Sequence, residues 1–204
     1  MSSPTKLRIA FMGAVICFVM AVNLNCSGVT SARSDSIHSP PGSTTTFILV
    51  RHAERAKEAG DSYLTAAGRD RAEALVSKIG DMGITAIYSP DRGRNRETVQ
   101  PLANHLGLTL NLIPEKRLTN TSKFADEFVR EVLSKHAGGV VVWVGNKSPV
   151  GIWGGNLEEI YGRLGGTGDA PSTYDDLFII KVPDTGPIQV NKTRYGKPAG
   201  RFDQ

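Results

Sequence analysis

The stretch FILVRHAER, residues 47–55, places four apolar residues directly before an arginine and a histidine. A continuous apolar run of this kind is typical of a strand that is buried on both faces, as in a parallel sheet. Arg51 and His52 then stand where the strand ends. Two interpretations are open at this point. His52 is either a nucleophile held over a pocket or an ordinary polar end to a buried strand.

Strands and helices alternate through the rest of the chain. Thr65 is a favoured N-cap residue for a helix, and Pro101 is expected to kink or delay a second one. Helical spacing of apolar residues predicts helices within residues 64–80, 94–108, 122–136 and 156–164. Apolar runs predict further strands within residues 84–89, 109–113, 138–145, 176–182 and 187–193. This order predicts an α/β fold, a three-layer α/β/α sandwich around a mostly parallel sheet.

The residues that follow the predicted strands are mostly polar or cationic. In folds of this class, ligands bind outside the carboxyl ends of the strands. The side chains expected at that edge are Arg51, His52, Ser89, Arg94, Glu115 and Asn146. A phosphoryl group needs such a set, because its charged oxygens must be neutralised by cations and hydrogen-bond donors. The sequence therefore predicts a phosphoryl-binding pocket.

Length and charge limit the possible partners. A chain of 204 residues favours one folded domain, and its net charge of +4 is mildly basic. No zinc-finger spacing and no RNA-binding aromatic signature accompanies this charge, so we expect no nucleic-acid partner. A small anionic ligand fits the charge equally well. We expect neither a cofactor nor a metal ion.

Residues 1–32 have the composition of an export leader. Lys6 and Arg8 precede the mostly apolar residues 9–22, which are too few for a comfortable membrane span and suit the core of a secretory signal. Cleavage is expected after Ala32. Lipidation at Cys26 and an uncleaved membrane anchor are the alternatives, and each would also place the domain outside the cytoplasm.

The segment behind the leader is expected to be a flexible linker. Residues 33–45 are rich in Ser, Thr, Pro and Gly, and the folded domain is predicted to cover residues 46–204. Both cysteines, Cys17 and Cys26, precede the linker. The domain therefore contains no disulfide, and its stability must come from packing.

Three blocks of sequence carry a resemblance to a known family. FILVRHAER, LTAAGRDRAEAL and IYSPDRGRNRETVQPLA, in this order, resemble the histidine phosphatase superfamily, which includes phosphoglycerate mutases and phosphohistidine phosphatases. The resemblance covers residues 46–195 and implies a phosphoglycerate mutase-like fold. It also implies that His52 forms a phosphohistidine while Arg51 and Arg94 bind the phosphoryl oxygens. Ala53 stands where glycine is commoner in the family.

Two further roles are implied by branches of that family. Arg55 matches the second arginine of the acid-phosphatase motif RHGxR, which implies a contact with phosphate. Glu115 follows the third predicted strand, where the mutase branch carries its proton-donating carboxylate. The residues around Glu115 do not reproduce the motif of that branch, and a surface salt bridge is the alternative. The predicted catalytic residues are then His52, Arg51, Arg94 and Glu115, and the predicted substrate-binding residues are Arg55, Ser89 and Asn146.

The fourth strand ends differently from the family pattern. Family members usually carry a second active-site histidine there, and VVWVGNKSPV has Asn146 in that place. An amide can donate a hydrogen bond but brings no positive charge. Two hypotheses follow. The chain is an exported phosphatase with weakened activity towards a phosphomonoester or phosphohistidine, or it is a pseudophosphatase that binds phosphate, a phosphorylated small molecule or a phosphoprotein.

The leader generates the first testable prediction. In cells that express the full chain, fractionation should recover the domain outside the cytoplasm, because residues 1–32 direct its export. A variant that lacks residues 9–22 is the control and should stay inside the cell. Recovery of the intact chain, leader included, from the cytoplasmic fraction would contradict the prediction.

Overall fold

A computed structural model of the protein describes residues 37–56, 62–148 and 155–199. Strands and helices alternate along this part of the chain. The elements are β1 (Thr44–Arg51), α1 (Ala66–Ile79), β2 (Ile84–Pro90), α2 (Gly93–Leu106), β3 (Leu110–Ile113), α3 (Thr121–Lys135), β4 (Val140–Gly145), α4 (Asn156–Arg163), β5 (Asp176–Pro183) and β6 (Gln189–Arg194). A single helical turn, Glu115–Arg117, precedes α3. The predicted leader, residues 1–32, lies outside the described residues.

The strands form one sheet in the order β3-β2-β4-β1-β5-β6. β1 to β4 pair in parallel, β5 is antiparallel to both of its neighbours, and β6 therefore runs in the direction of β1. The predicted α/β fold with a mostly parallel sheet is confirmed. In the parallel pairing of β1 with β4, Arg51 stands opposite Gly145, so both strands end at the same edge.

The central strand β1 explains the apolar run that opens the domain. Residues 47–50 are fully buried. Phe47 and Leu49 belong to a core that contains α3 and α4, whereas Ile48 and Val50 belong to a second core that contains α1 and α2. Successive side chains of a strand point to opposite faces, so a strand covered on both sides must be apolar at every position.

β1 begins at Thr44, two residues before the predicted start of the domain. The end of the predicted linker packs against the sheet here. Ser39 is buried, and its hydroxyl donates a hydrogen bond to the carbonyl oxygen of Val182 in β5 at 2.6 Å. The backbone N–H of Thr45 donates to the Ser39 hydroxyl at 3.0 Å. Part of this segment, which is rich in Ser and Thr, therefore forms hydrogen bonds with the sheet and belongs to the folded part of the chain.

Pro101 does not delay its helix. α2 begins at Gly93 and continues through Pro101 to Leu106. Proline removes one backbone hydrogen bond within a helix. Val99, Leu102 and Ala103 are fully buried around that position, so tertiary packing maintains the helix.

Arg71 in α1 joins three distant parts of the chain. Its guanidinium donates to both carboxylate oxygens of Glu54, at 2.6 to 2.9 Å. Its Nη1 donates to the carbonyl oxygens of Tyr195 at 3.1 Å and Lys197 at 2.9 Å. Burial alone would lower the pKa of Arg71, but hydrogen bonding to Glu54 and its charge raise the pKa above the usual value. The loop after His52, helix α1 and the segment after β6 are therefore linked by one buried side chain.

Removal of this cation should destabilise the fold strongly. We expect Arg71→Met to lower the free energy of unfolding by about 3–5 kcal/mol, because Glu54 would be left buried without a counter-charge. Equilibrium urea unfolding measures the effect. Lys123→Met is the matched control, since Lys123 is exposed and pairs with Glu127 at 3.7 Å, and there we expect a loss below about 1 kcal/mol. Equally small losses in both variants would show that the buried pair contributes no more than the surface one.

Candidate active site

The site is built where β1 and β4 end. His52 follows β1, and its backbone N–H donates to the carbonyl oxygen of Gly145 at 3.1 Å. This bond continues the β1–β4 pairing one residue beyond the strand. His52 is thereby held next to the segment that carries Asn146, and its side chain is 3 % exposed.

The His52 imidazole is held in one protonation state and one tautomer. Burial lowers its pKa to about 3, and the charges of Arg51, Arg94 and Arg55 act in the same direction. Nδ1 lies 2.8 Å from the carbonyl oxygen of Ala53. A carbonyl oxygen only accepts, so the single proton of the neutral ring is on Nδ1 and the lone pair is on Nε2. An unprotonated Nε2 is the form that can attack an electrophile.

Thr98 connects the first turns of α2 to the residue after His52. The Thr98 hydroxyl accepts a hydrogen bond from the backbone N–H of Ala53 at 2.9 Å and donates one to the carbonyl oxygen of Arg94 at 2.7 Å. One helical turn separates Arg94 from Thr98, so both lie on the same face of α2. The carboxylate of Glu97 also accepts from the backbone N–H of Leu64 at 2.7 Å. The start of α2 is thus fixed against the loop that follows β1.

Arg94 and Asn146 are in direct contact. Nε and Nη2 of Arg94 donate to Oδ1 of Asn146 at 3.2 and 3.0 Å. A guanidinium has only donors, so the oxygen of the amide must face Arg94, and Nδ2 is the donor that Asn146 can offer to a ligand. The backbone N–H of Asn146 donates to Oδ1 of the buried Asn156 at 2.8 Å, which fixes the end of β4 against α4.

Arg51 is held by a loop that the sequence pattern did not place at the site. Its guanidinium lies 4.2 Å from the ring centroid of Tyr174, and Nη1 donates to the carbonyl oxygen of Ser172 at 2.7 Å. The Tyr174 ring is also 5.6 Å from the His52 ring. Because β5 is antiparallel to β1, it begins at the edge where β1 ends, and it brings this loop there. Strand direction is not encoded in the apolar run of β5, so Tyr174 was not predicted.

The remaining predicted residues have different surroundings. Arg55 is half-buried, and it is close enough to His52 for its charge to lower the pKa of that ring. Ser89 is fully buried, and its hydroxyl donates to the carbonyl oxygen of Pro90 at 2.8 Å. The donor of the Ser89 hydroxyl is therefore engaged by the backbone, and a role of Ser89 in substrate binding stays a prediction. Glu115 is 60 % exposed and pairs with Arg92 at 2.5 Å, which is the surface salt bridge that stood as the alternative to an acid role.

Within residues 37–56, 62–148 and 155–199, no three or more His, Cys, Asp and Glu side chains are grouped so that they could hold a metal ion. In this same part of the chain, no helix combines the length and the apolar character needed to cross a membrane.

The fold and the site define an α/β protein with a neutral histidine among arginines at the carboxyl edge of its sheet. Residues 47–167 match the family model of the histidine phosphatase superfamily (branch 1). This match covers more than half of the 204 residues. The chain belongs to this superfamily.

Individual relatives cover parts of the chain. It is 30% identical over 118 residues to the 8-oxo-(d)GTP phosphatase of Mycolicibacterium smegmatis, covering 53% of this chain and 37% of that protein. It is 37% identical over 79 residues to a protein of Escherichia fergusonii named probable phosphoglycerate mutase GpmB, covering 35% of this chain and 37% of that protein. The chain thus spans little more than a third of either relative. The solved structure of the protein histidine phosphatase SixA complexed with tungstate matches with a TM-score of 0.56 at 15% identity, covering 73% of this chain and 96% of SixA, which shows the shared fold.

The neutral imidazole gives a prediction for pH dependence. NMR titration of ligand-free protein should place the pKa of His52 near 3, well below the ordinary 6.5. As the pH falls, His52 takes up a proton in the unfolded chain before it does so in the folded protein. The contribution of His52 to the free energy of unfolding is therefore complete above about pH 6.5 and declines towards pH 3. Relative to His52→Asn, the wild-type protein should lose about 2–3 kcal/mol more between pH 7.5 and 4.5.

The control for this titration is the exposed His105 on α2. His105→Asn removes a histidine outside the site, so the two variants compare the loss of an exposed ring with the loss of a buried one. If His52→Asn shows the same pH slope as the wild-type protein, the ring is not held neutral by burial.

Proposed function

We propose that this chain is a phosphatase that acts on a phosphomonoester or a phosphohistidine through a phosphohistidine intermediate on His52. The observation that supports it most directly is the hydrogen bond from Nδ1 of His52 to Ala53. It leaves an unprotonated Nε2 in a buried site, where the charges of Arg51, Arg94 and Arg55 act on the ring. An unprotonated nitrogen among cations suits attack on an anionic phosphoryl group.

The proposed reaction has two steps. Nε2 of His52 forms a bond to phosphorus while the bond from phosphorus to the leaving oxygen breaks, and the leaving group takes a proton from water. Water then attacks the phosphohistidine, the N–P bond breaks and inorganic phosphate leaves. Arg51 and Arg94, with Arg55 beside them, neutralise the charge on the equatorial oxygens throughout. This route uses side chains alone and needs no cofactor.

We further propose that Asn146 occupies the place of the second histidine of the family. Its contact with Arg94 supports this, since it lies beside the proposed phosphoryl clamp. Nδ2 would donate to a phosphoryl oxygen without adding positive charge. Loss of one preorganised donor costs about 10² to 10³ in rate, so the expected activity is weak rather than zero.

A binding module is the second candidate function. The specific observation in its favour is that ligand-binding groups of the site are engaged by the protein itself. Two donors of Arg94 are directed at Asn146, and Nη1 of Arg51 is directed at Ser172. Such a pocket could hold phosphate or a phosphorylated ligand without turnover. An intact pair of Arg51 and His52 favours chemistry, because a pure binder has less need of a nucleophile.

The proposed setting follows from the sequence. The leader supports an extracytoplasmic location, with possible retention at the membrane through residues 1–32. The proposed partners are a phosphorylated small molecule or a phosphoprotein. The arginines of the site support an anionic ligand of this kind.

Position 146 separates the two candidates. The purified protein should release phosphate from an aryl phosphate above the level of His52→Ala, and Asn146→His should raise the rate by about 10², because it restores a charge-assisted contact. The gain should vanish in the double variant His52→Ala, Asn146→His, since residues of one catalytic unit are not additive. Phosphate release and phosphate affinity are measured on the same preparations.

Asn104→His is the matched control, because it adds a histidine on the exposed surface of α2. It should leave the rate unchanged. If the wild type and Asn146→His both stay at the His52→Ala level while phosphate still binds, the phosphatase proposal is overturned and the binding module stands.

A further inference from the structure

A cavity of about 720 Å³ lies beside the phosphoryl site, between α3, α4 and residues 166–172. Two of its lining residues connect it to that site. Lys147 follows Asn146 directly, and the carbonyl oxygen of Ser172 accepts the hydrogen bond from Arg51. Pockets of 300–1,000 Å³ are the usual size for small-molecule sites. The cavity therefore has the place and the size to hold what is attached to a bound phosphoryl group.

The lining of this cavity is polar. Among the described residues that line it, the apolar ones apart from the ring of Tyr161 are alanine and glycine, so this part of the lining offers little surface to a large apolar group. The charged residues of this described lining are the carboxylates Asp126, Glu158, Glu159 and Asp169 and the cations Lys147 and Arg163, four against two, which gives them a formal charge of −2. Charge is thus reversed between the arginines of the phosphoryl site and the lining of the neighbouring cavity.

Two of the carboxylates that line the cavity already have partners within the protein. Asp126 pairs with Arg163 across the gap between α3 and α4. One carboxylate oxygen of Glu158 accepts from the backbone N–H of Ser148 at 3.0 Å. Glu159 and Asp169 supply the other two carboxylates of the lining. Carboxylates accept hydrogen bonds and repel anions. A ligand in this cavity is therefore favoured if it donates hydrogen bonds and disfavoured if it carries negative charge.

We propose that this cavity binds the leaving-group part of the substrate, and that this part is an uncharged, hydroxyl-rich group such as a sugar. The inference rests on the proposed phosphatase function. Hydroxyl groups can donate to the carboxylates and to the glycine-rich backbone of residues 166–168. An aryl group would find little apolar surface. A second anionic group would meet like charge in a confined site, and specificity is often set by such repulsion.

Discrimination between three phosphate esters tests the inference. We expect kcat/KM for a hexose monophosphate to exceed that for phosphoglycerate roughly tenfold or more, because only phosphoglycerate carries a carboxylate towards Glu159 and Asp169. An aryl phosphate serves as the reference ester. In the double variant Glu159→Gln, Asp169→Asn, the ratio of hexose monophosphate to phosphoglycerate should fall by roughly tenfold.

The matched control is Glu73→Gln, which neutralises an exposed carboxylate on α1, a helix that does not line the cavity. It should leave the ratio as it is in the wild type. Calorimetric binding of the same three esters is measured in parallel, so that the preference is read even if turnover is absent.

The outcomes separate the two proposals. If the aryl phosphate is hydrolysed but the double variant leaves the ratio unchanged, the assignment of the cavity is overturned and the phosphatase function stands. If none of the esters is hydrolysed, the phosphatase function is overturned, and calorimetric binding of the same esters then tests the assignment of the cavity. Tighter binding of hexose monophosphate than of phosphoglycerate, lost in the double variant, supports it. Equal binding, or a preference for phosphoglycerate, overturns it.

Discussion

The backbone hydrogen bond from His52 to Gly145 is the constraint on which the site depends. β1 and β4 are neighbours in the sheet but lie far apart in sequence, and their parallel register decides which residues meet where both strands end. A shift of one residue would turn His52 to the opposite face of the sheet. The two separate cores prevent such a shift, because Phe47 and Leu49 fit one core while Ile48 and Val50 fit the other. Packing of apolar side chains thus fixes the position of a polar one.

Burial beside arginines keeps the His52 imidazole neutral. A ring in water would be partly protonated at mildly acidic pH, and its lone pair would be lost to the proton. Desolvation and the neighbouring arginines prevent this. Among the described residues, Asn146 contacts Arg94, and the Ser172 carbonyl and the Tyr174 ring contact Arg51, so neutral groups help to hold these side chains beside the ring.

The order of the elements was predictable from the sequence, because apolar periodicity is a local signal. The edge that carries the site was predictable as well, because ligands of parallel α/β sheets bind at the carboxyl ends of the strands. The positions of His52, Arg51, Arg94 and Asn146 near one another follow from those signals. Tyr174 was not predictable, since it depends on β5 running antiparallel, and an apolar run has no direction. Ser89 and Glu115 were placed at the correct edge, but the pattern could not reveal that one hydroxyl is buried and that one carboxylate pairs with Arg92.

The contacts of Arg71 bear on when the domain can be completed during synthesis. This side chain is 124 residues away from Tyr195 and 126 away from Lys197 in sequence, yet it binds both of their carbonyl oxygens together with Glu54. Contacts between residues so far apart in sequence form late, because the loop between them must lose conformational entropy before the contacts can stabilise the fold. On a ribosome, the loop that follows His52 cannot gain this support until residues 195 and 197 have emerged. A nascent chain that lacks these residues therefore carries His52 without the contacts that hold Arg71 and Glu54 in place.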